Sequence, residues 1–323
     1  MRFDRGLVGF GLFLVTIGAV MVAVRQGLIS EDLAGRAWSL WPLILIGIGL
    51  SIVLAGRPGA AIGGLVLAIT FGAMLGGVAA TGSLGFAGLC SGDRDRGTPF
   101  ADASGDLASG ARVSVRQSCG DLTIATVAGS RWSLSGNSTE GRAPRVEGDA
   151  SSLTVDSDED APFSLSATSA WDLVLPRDPA VALEIEANAG AARIALGGAT
   201  LTRLDIRRNA GTLEVDLRDV AAIDELRVQL NAGSATLRLP ARSLTGTLDV
   251  NAGSASICLP PGAGLRVVLE SVAASNDFGG HGLIERDGAW ETPGYATATI
   301  RIGLRAEVNA GSLSLDPVRP CAG

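Results

Sequence analysis

Residues 228–237 read Val-Gln-Leu-Asn-Ala-Gly-Ser-Ala-Thr-Leu. Apolar and polar residues alternate on both sides of the Asn-Ala-Gly tripeptide, which is the pattern of two short β-strands. Asn and Gly tolerate left-handed backbone angles and Ala is small, so the tripeptide predicts a corner between the strands. Because one such unit cannot bury its inner face alone, the stretch predicts a repeat in which equivalent units stack as rungs.

The same frame recurs through the C-terminal half of the chain. In each Asn-Ala-Gly copy, the residues three before, four after and six after the Asn are apolar, and the first four copies lie 21, 22 and 20 residues apart. Degenerate copies around residues 118–120 and 272–274 bring the expected number of rungs to seven. The predicted structural corners are Asn188, Asn209, Asn231, Asn251 and Asn309, with Gly190, Gly211, Gly233, Gly253 and Gly311.

The repeat predicts an all-β domain over residues 104–318. We expect a short right-handed β-solenoid with about 20–22 residues per rung. The stacked asparagine side chains would form a hydrogen-bonded ladder, and the alternative to this structural role is that the row of amides binds sugars or ions.

Two stretches interrupt the repeat. Residues 126–175 fit the rung frame poorly. The second interruption, between Phe278 and Arg305, contains Trp290 and Tyr295. We expect Trp290 to cap the stack or to contact a partner, and Tyr295 is a second candidate for partner contact.

Residues 1–90 predict a membrane region. Three uncharged stretches, about residues 6–24, 38–55 and 59–80, approach the roughly 20 apolar residues that a spanning helix needs. Further apolar segments follow the first, which argues against a cleaved signal peptide. Trp38 and Trp41 begin the second stretch and are predicted to lie at the membrane interface. Residues 91–103 are a linker, and residues 319–323 are a tail.

Charge near the spans bears on sidedness. Three spans put Arg2, Arg5 and Arg57 in the cytoplasm, against two arginines in the first loop, so the margin is small. We expect a multi-pass protein whose C-terminal domain is extracytoplasmic. A fourth span within residues 59–90 would reverse this orientation.

Composition excludes several function classes. The chain has 323 residues and a net charge of −7, and all 26 of its basic residues are arginine. They form no basic run, which argues against nucleic acid as a partner. With one histidine, no lysine and no hydrolase, nucleotide or zinc motif, the sequence predicts no enzyme and no catalytic, cofactor-binding or metal-binding residue.

The four cysteines leave their pairing open. Cys90, Cys119, Cys258 and Cys321 are far apart and form no Cys-x-x-Cys motif. Their even number is compatible with disulfides outside the cytoplasm. Cys258 lies between two inward-facing residues and should face outward, where pairing with Cys119 is one possibility.

Two groups of motifs resemble known bacterial families. Gly6-Leu-Val-Gly, followed after a short polar loop by Trp41-Pro-Leu-Ile-Leu-Ile-Gly, resembles the LiaI/LiaF-like transmembrane region of envelope-stress proteins. The repeated Asn-Ala-Gly frame, recurrent Leu-Pro pairs and Ile257-Cys-Leu-Pro-Pro-Gly resemble the adhesin-like or "toastrack" β-solenoid family. The second family is often joined to membrane regions of the first kind.

The joint resemblance implies a protein of the bacterial cytoplasmic membrane that senses or regulates envelope stress without enzymatic activity. Its expected partners are membrane lipid and a histidine kinase or other envelope-stress membrane protein. The alternative is a structural or adhesive surface protein whose solenoid binds wall, lipid or polysaccharide. The sequence leaves the oligomeric state open.

Overall fold

The computed structural model divides the chain into two compact units, residues 1–88 and 89–323. The structure describes residues 11, 13–16, 18–19, 45, 67–73, 90, 97–139, 141–157, 168–316 and 321. Trp38, Trp41 and most of the three predicted spans lie outside these residues.

The described part of the first unit is helical. Residues 13–16 and 67–73 are α-helical, and Thr70 is buried. A Cβ atom added at Gly72 would lie 2.7 Å from the Cβ of Thr16, so only a glycine permits this close approach. No helix in this described part is both long and apolar enough to cross a membrane.

The second unit is a β domain, and its described residues form sixteen strands. They are β1 Thr98–Pro99, β2 Ala103–Asp106, β3 Ala111–Val127, β4 Arg131–Ser138, β5 Arg145–Asp149, β6 Ser152–Asp156, β7 Ser169–Pro176, β8 Val181–Ala195, β9 Thr200–Asp216, β10 Ala222–Ile223, β11 Leu226–Arg238, β12 Leu244–Cys258, β13 Gly264–Asn276, β14 Ile284–Arg286, β15 Ala289–Glu291 and β16 Arg301–Leu315. Two short 3-10 helices, Phe278–His281 and Tyr295–Thr297, lie between β13 and β16.

Seven long strands form the parallel rung stack, in the order β3, β8, β9, β11, β12, β16, β13. Each contains one copy of the corner frame, and equivalent residues of neighbouring rungs are paired. Gly233, for example, pairs with Gly211 on one side and Gly253 on the other. The predicted frame and the seven rungs are therefore present. Chain order is broken once, because the last strand lies between β12 and β13.

At each corner, the alternation of inward-facing and outward-facing residues shifts by one residue. In β11 the buried residues before the corner are Leu226, Val228 and Leu230, whereas those after it are Gly233, Ala235 and Leu237. This change gives each rung two arms that bury their apolar side chains in one common core. Repeated from rung to rung, it stabilises a stack that no single rung could maintain.

Both predicted interruptions add antiparallel strands at the ends of the stack. In the stretch 126–175, β6 and β7 are parallel to β3 and pair with its first and second arms, whereas β4 is antiparallel to β7 and β5 is antiparallel to β6. At the other end, β15 pairs with residues 266–268 of β13, and β14 pairs with β15. The poor fit of these stretches to the rung frame thus reflects short separate strands, several of them antiparallel, in place of one continuous rung with a corner.

The disulfides differ from the pairing considered on sequence. Cys90 is bonded to Cys119, and Cys258 is bonded to Cys321. The Cys119–Cys258 possibility is wrong because these residues lie four strands apart in the stack, on β3 and β12. Cys258 lies outside the core cluster, and with Cys321 bonded to it the residue is only 7% exposed.

Candidate functional site

The five predicted corner asparagines lie side by side along the rung stack. Asn231 donates to Asn209 at 2.6 Å, Asn251 to Asn231 at 2.6 Å and Asn309 to Asn251 at 2.9 Å, each from Nδ2 to Oδ1. Asn209 donates to Asn188 in the same way. We call these five side chains the amide ladder. It links five consecutive rungs along the outside of the corner.

The predicted glycines form a second column behind the ladder. Their φ angles are positive, for example 107° at Gly211, 118° at Gly233 and 128° at Gly253. A Cβ at Gly233 would collide with the carbonyl oxygen of Gly211, and each neighbouring rung repeats this relation. Glycine is therefore required twice, for the backbone angle and for the close approach of the next rung.

The predicted left-handed conformation of the asparagines is wrong. Among the described residues, the non-glycine residues with positive φ are Asp287 and Asp316. The glycine two positions later supplies the left-handed turn, which leaves each asparagine extended with its side chain free to join the ladder.

A buried arginine lies directly before one ladder residue. Arg208 is fully buried, and its Nη2 donates to the carbonyl oxygen of Gly190. Its Nε and Nη1 have no hydrogen-bond partner among the described atoms. Burial lowers the pKa of Arg208 to about 10, and the negative charge of Asp121 opposes this change. Sequence reasoning missed Arg208, although the equivalent position is apolar in four of the other rungs, which hold Ala187, Leu230, Val250 and Val308.

The outer face of the first arm carries a balanced ionic network on β8, β9 and β11. Arg207 Nη1 lies 2.9 Å from a Glu184 carboxylate oxygen, and Arg207 Nη2 lies 3.2 Å from Asp205. Arg203 lies 2.7 Å from Glu225. Because each arginine has an acidic neighbour and all of these groups except the buried Asp205 are partly exposed, the network supplies little net charge or stability.

The outer face of the second arm is lined with hydroxyl groups instead. Ser256 and Ser314 are hydrogen-bonded at 3.0 Å between their Oγ atoms. The two columns of Ser and Thr on this face run parallel to the amide ladder and alternate with the buried positions. Their members are Thr212, Ser234, Ser254, Ser312 and Ser275 in one column, and Thr236, Ser256 and Ser314 in the other.

Acidic residues lie in one column toward the β13 end of the stack. Asp249, Glu307 and Glu270 occupy the same position, two residues before the corner, on β12, β16 and β13. We call these three residues the acidic column. Burial raises the pKa of Asp249, the neighbouring Glu307 raises it further, and Arg227 opposes both effects.

The two aromatic candidates lie at this same end. Trp290 is on β15 opposite Val267, and its ring meets the buried ring of Phe278 edge to face at a centroid distance of 6.0 Å. This is the geometry of a cap over the core, which is one of the two roles expected for Trp290. Tyr295 is partly buried, and its hydroxyl lies 3.7 Å from where a Cβ would stand at Gly303. A contact of either residue with a partner stays a prediction.

Two chain segments match known families. Residues 8–53 match the LiaI-LiaF-like transmembrane region. Residues 100–239 match the N-terminal domain of toast_rack, DUF2154. The chain joins a LiaI-LiaF-like membrane region to a toast_rack domain. The first match implies membrane anchoring and indicates an envelope-stress-related membrane protein, and neither family is known for enzymes. No curated protein sequence matches the chain.

Solved adhesin structures are similar to the β domain. A candidate cell adhesion protein from Clostridium sporogenes is 13% identical, with a TM-score of 0.43 over 68% of this chain and 100% of that chain. A candidate adhesin from Bacteroides fragilis is 9% identical, with a TM-score of 0.30 over 67% and 96%. A candidate adhesin from Parabacteroides distasonis is 12% identical, with a TM-score of 0.26 over 70% and 98%.

Proposed function

We propose that this toast_rack protein is a non-enzymatic regulator of envelope stress that acts through protein–protein contacts. The observation that carries the proposal is the presence of a LiaI-LiaF-like region and a toast_rack domain in one chain. In this role the helices anchor the chain among membrane lipids through three spans. The β domain contacts a histidine kinase or another envelope-stress membrane protein.

The β domain suits a contact role because it is a preorganised surface. Seven paired rungs and a common core hold the ladder, the hydroxyl face and the acidic column in fixed register. A rigid surface loses little conformational entropy when it binds a partner. Within the proposal the rungs wind as a right-handed solenoid, the hand that parallel crossover connections favour.

The proposal puts the β domain on the extracytoplasmic side of the membrane. Two disulfides, Cys90–Cys119 and Cys258–Cys321, support this orientation because disulfides persist in oxidising compartments and are rare in the cytoplasm. A domain on that side can meet the outer portion of a sensor kinase.

Deletion of the gene tests the regulatory role. We expect envelope-stress transcription, measured with and without a cell-wall antibiotic, to change on deletion and to be restored by the full-length chain. A chain with Gly233→Ala and Gly253→Ala, two changes that disrupt the glycine column, should not restore it although the membrane region is intact. An unchanged transcriptional response in the deletion strain would contradict the proposal.

A second candidate function is adhesion to the wall or to polysaccharide. The observation that favours it is the hydroxyl face beside the amide ladder, which presents hydrogen-bonding groups once per rung. Full-length protein in detergent would then be retained on insoluble peptidoglycan. Replacing Ser234 and Ser254 by Leu would reduce retention, and the stress response would not depend on the gene.

A further inference from the structure

The stack is protected unequally at its two ends. At one end, β3 is covered along both arms, by β6 over residues 112–116 and by β7 over residues 120–127. At the other end, β13 is covered by β15 over residues 266–268 only. Among the described residues, none pairs with the outer side of residues 269–276, which we call the open edge.

The open edge lacks the usual protection of an edge strand. Its sequence, Leu-Glu-Ser-Val-Ala-Ala-Ser-Asn, contains no proline, no lysine and only one charge. Val272 occupies the position of the ladder asparagine in this rung and is 84% exposed. Natural proteins normally blunt exposed edges with charges, prolines or a covering element, because an unpaired strand readily pairs with another chain.

The space beside the open edge fits one extended segment better than a second copy of the protein. β15 already occupies the next strand position over the first arm, and β14 occupies the one beyond it. These two strands prevent another end rung from approaching along its full length. A separate segment of about eight residues could still pair with residues 269–276.

The acidic column specifies the charge of such a segment. Earlier rungs alternate in sign at this position, with Arg116, Glu186 and Arg207 on β3, β8 and β9. Beyond them, the acidic column places three carboxylates in succession, with neighbouring strands about 4.8 Å apart. Glu270 ends the column, is exposed and has no ion-pair partner among the described residues. A cationic side chain on an added strand would offset this charge.

We propose that the open edge is a strand-addition site, which binds an extended polypeptide segment that carries an arginine or lysine beside Glu270. Backbone hydrogen bonds supply affinity at such a site, and side chains beside the strand supply specificity. The inference rests on the proposed function, because it names the kind of segment through which a partner protein would engage the β domain.

A peptide copied from β16 tests the site, because β16 is the natural parallel neighbour of β13. The first probe is a fluorescent peptide with the sequence of residues 305–313, and the second carries the replacement Glu307→Arg. We measure fluorescence anisotropy with the full-length protein in detergent. The arginine peptide should bind at least about tenfold more tightly than the glutamate peptide, and Glu270→Arg in the protein should reverse the preference.

Val272→Lys provides a second test, with Val127→Lys as the matched control. Both valines are exposed, at 84% and 46%, but Val127 ends β3 at the opposite end of the stack. Val272→Lys should weaken binding of the arginine peptide at least about fivefold, whereas Val127→Lys should leave it unchanged. Both variants should keep the melting temperature of the parent.

Several results would overturn the site. The site is wrong if neither peptide shows saturable binding, or if Glu270→Arg leaves the preference between the two peptides unchanged. It is also wrong if Val272→Lys and Val127→Lys weaken peptide binding equally, or if the protein self-associates through the open edge without binding peptide. If the peptides fail to bind while gene deletion still alters stress transcription, the strand-addition site is wrong and the regulatory function stands. If the peptides bind while deletion has no effect, the regulatory function is wrong.

Discussion

Asn231 lies in the middle of the amide ladder, where it donates to Asn209 and accepts from Asn251. Asn231→Leu removes both ladder hydrogen bonds and the one that Asn231 Oδ1 accepts from Gln229 at 3.3 Å, and we expect the free energy of unfolding to fall by about 1–2 kcal/mol. Asn188→Leu is the matched control, because Asn188 is the end of the ladder and makes only one of these bonds. Chemical unfolding of the full-length protein in detergent should show about half the loss for the control. Equal losses would contradict a role through the ladder.

Alanine substitutions at Gly233 and Gly262 distinguish the cost of backbone strain from the cost of a steric collision. Gly233→Ala places a methyl group in a left-handed conformation and against the carbonyl oxygen of Gly211. Gly262→Ala imposes the same kind of strain, but no atom lies within 4 Å of the position that its methyl group would take. We expect a loss of about 1 kcal/mol for Gly262→Ala and more than about 3 kcal/mol for Gly233→Ala. If thermal unfolding showed similar losses of stability for Gly233→Ala and Gly262→Ala, close packing of the glycine column would not be the reason that Gly233 is required.

Substitutions of Arg208 test whether a buried cation stabilises the corner. Because burial lowers its pKa to about 10, the folded state disfavours the cation, and this cost is fully present at neutral pH, where both states are protonated. Arg208→Met should therefore leave stability unchanged or raise it by up to about 3 kcal/mol, although the Gly190 carbonyl loses its donor. Arg208→Ala should be at least about 2 kcal/mol less stable than Arg208→Met, because it leaves a cavity. A large loss for Arg208→Met would show that the guanidinium is net stabilising.

At the scale of elements, the acidic column predicts that the stability of the protein depends on pH. The pKa of Asp249 is raised in the folded protein, so its carboxylate lowers stability above that pKa, and the cost disappears as pH falls through it toward the ordinary 3.8. Asp249→Asn should raise stability at pH 7 by up to about 1 kcal/mol and have no advantage at pH 3.

Asp216→Asn is the control of opposite sign. A hydrogen bond from Arg218 lowers the pKa of Asp216, so its stabilising contribution is present at neutral pH and is lost as pH falls through the lowered value. Thermal unfolding between pH 3 and pH 7 should therefore show a destabilised Asp216→Asn variant at pH 7 that approaches the parent at pH 3. If Asp249→Asn and Asp216→Asn changed the stability at pH 7 in the same direction, the opposite contributions of these two carboxylates would be contradicted.

The elements show what sequence could and could not reveal. Alternation around Asn-Ala-Gly predicts the rungs and their register because it depends only on local periodicity. The position of β16 between β12 and β13 is not predictable in this way, since any rung can stack on any other that shares its frame. The disulfides were missed for a related reason, because pairing depends on which distant segments meet. Arg208, at a column position that is apolar in four other rungs, was visible in the aligned frames and marks a departure from the repeat.

At the scale of the whole molecule, the two family matches and the two disulfides bear on one question, which is the side of the membrane that the β domain occupies. All the cysteines in the described residues are disulfide-bonded. One bond ties Cys90, the last residue of the predicted membrane region, to the first rung, and the other ties Cys321 to β12. Such bonds suit an oxidising compartment and would be exposed to reducing agents in the cytoplasm.

Reporter fusions test this orientation in the intact cell. Alkaline phosphatase fused after Gly323 should be active, whereas a reporter that functions only in the cytoplasm should be silent there. Fusions after Arg57, in the predicted cytoplasmic loop, are the matched control and should give the opposite pattern. Protein denatured without reductant should also resist maleimide labelling, because its cysteines are bonded. An active cytoplasmic reporter after Gly323, together with four reactive thiols, would put the β domain inside the cell and direct its contacts to the cytoplasmic portion of a kinase.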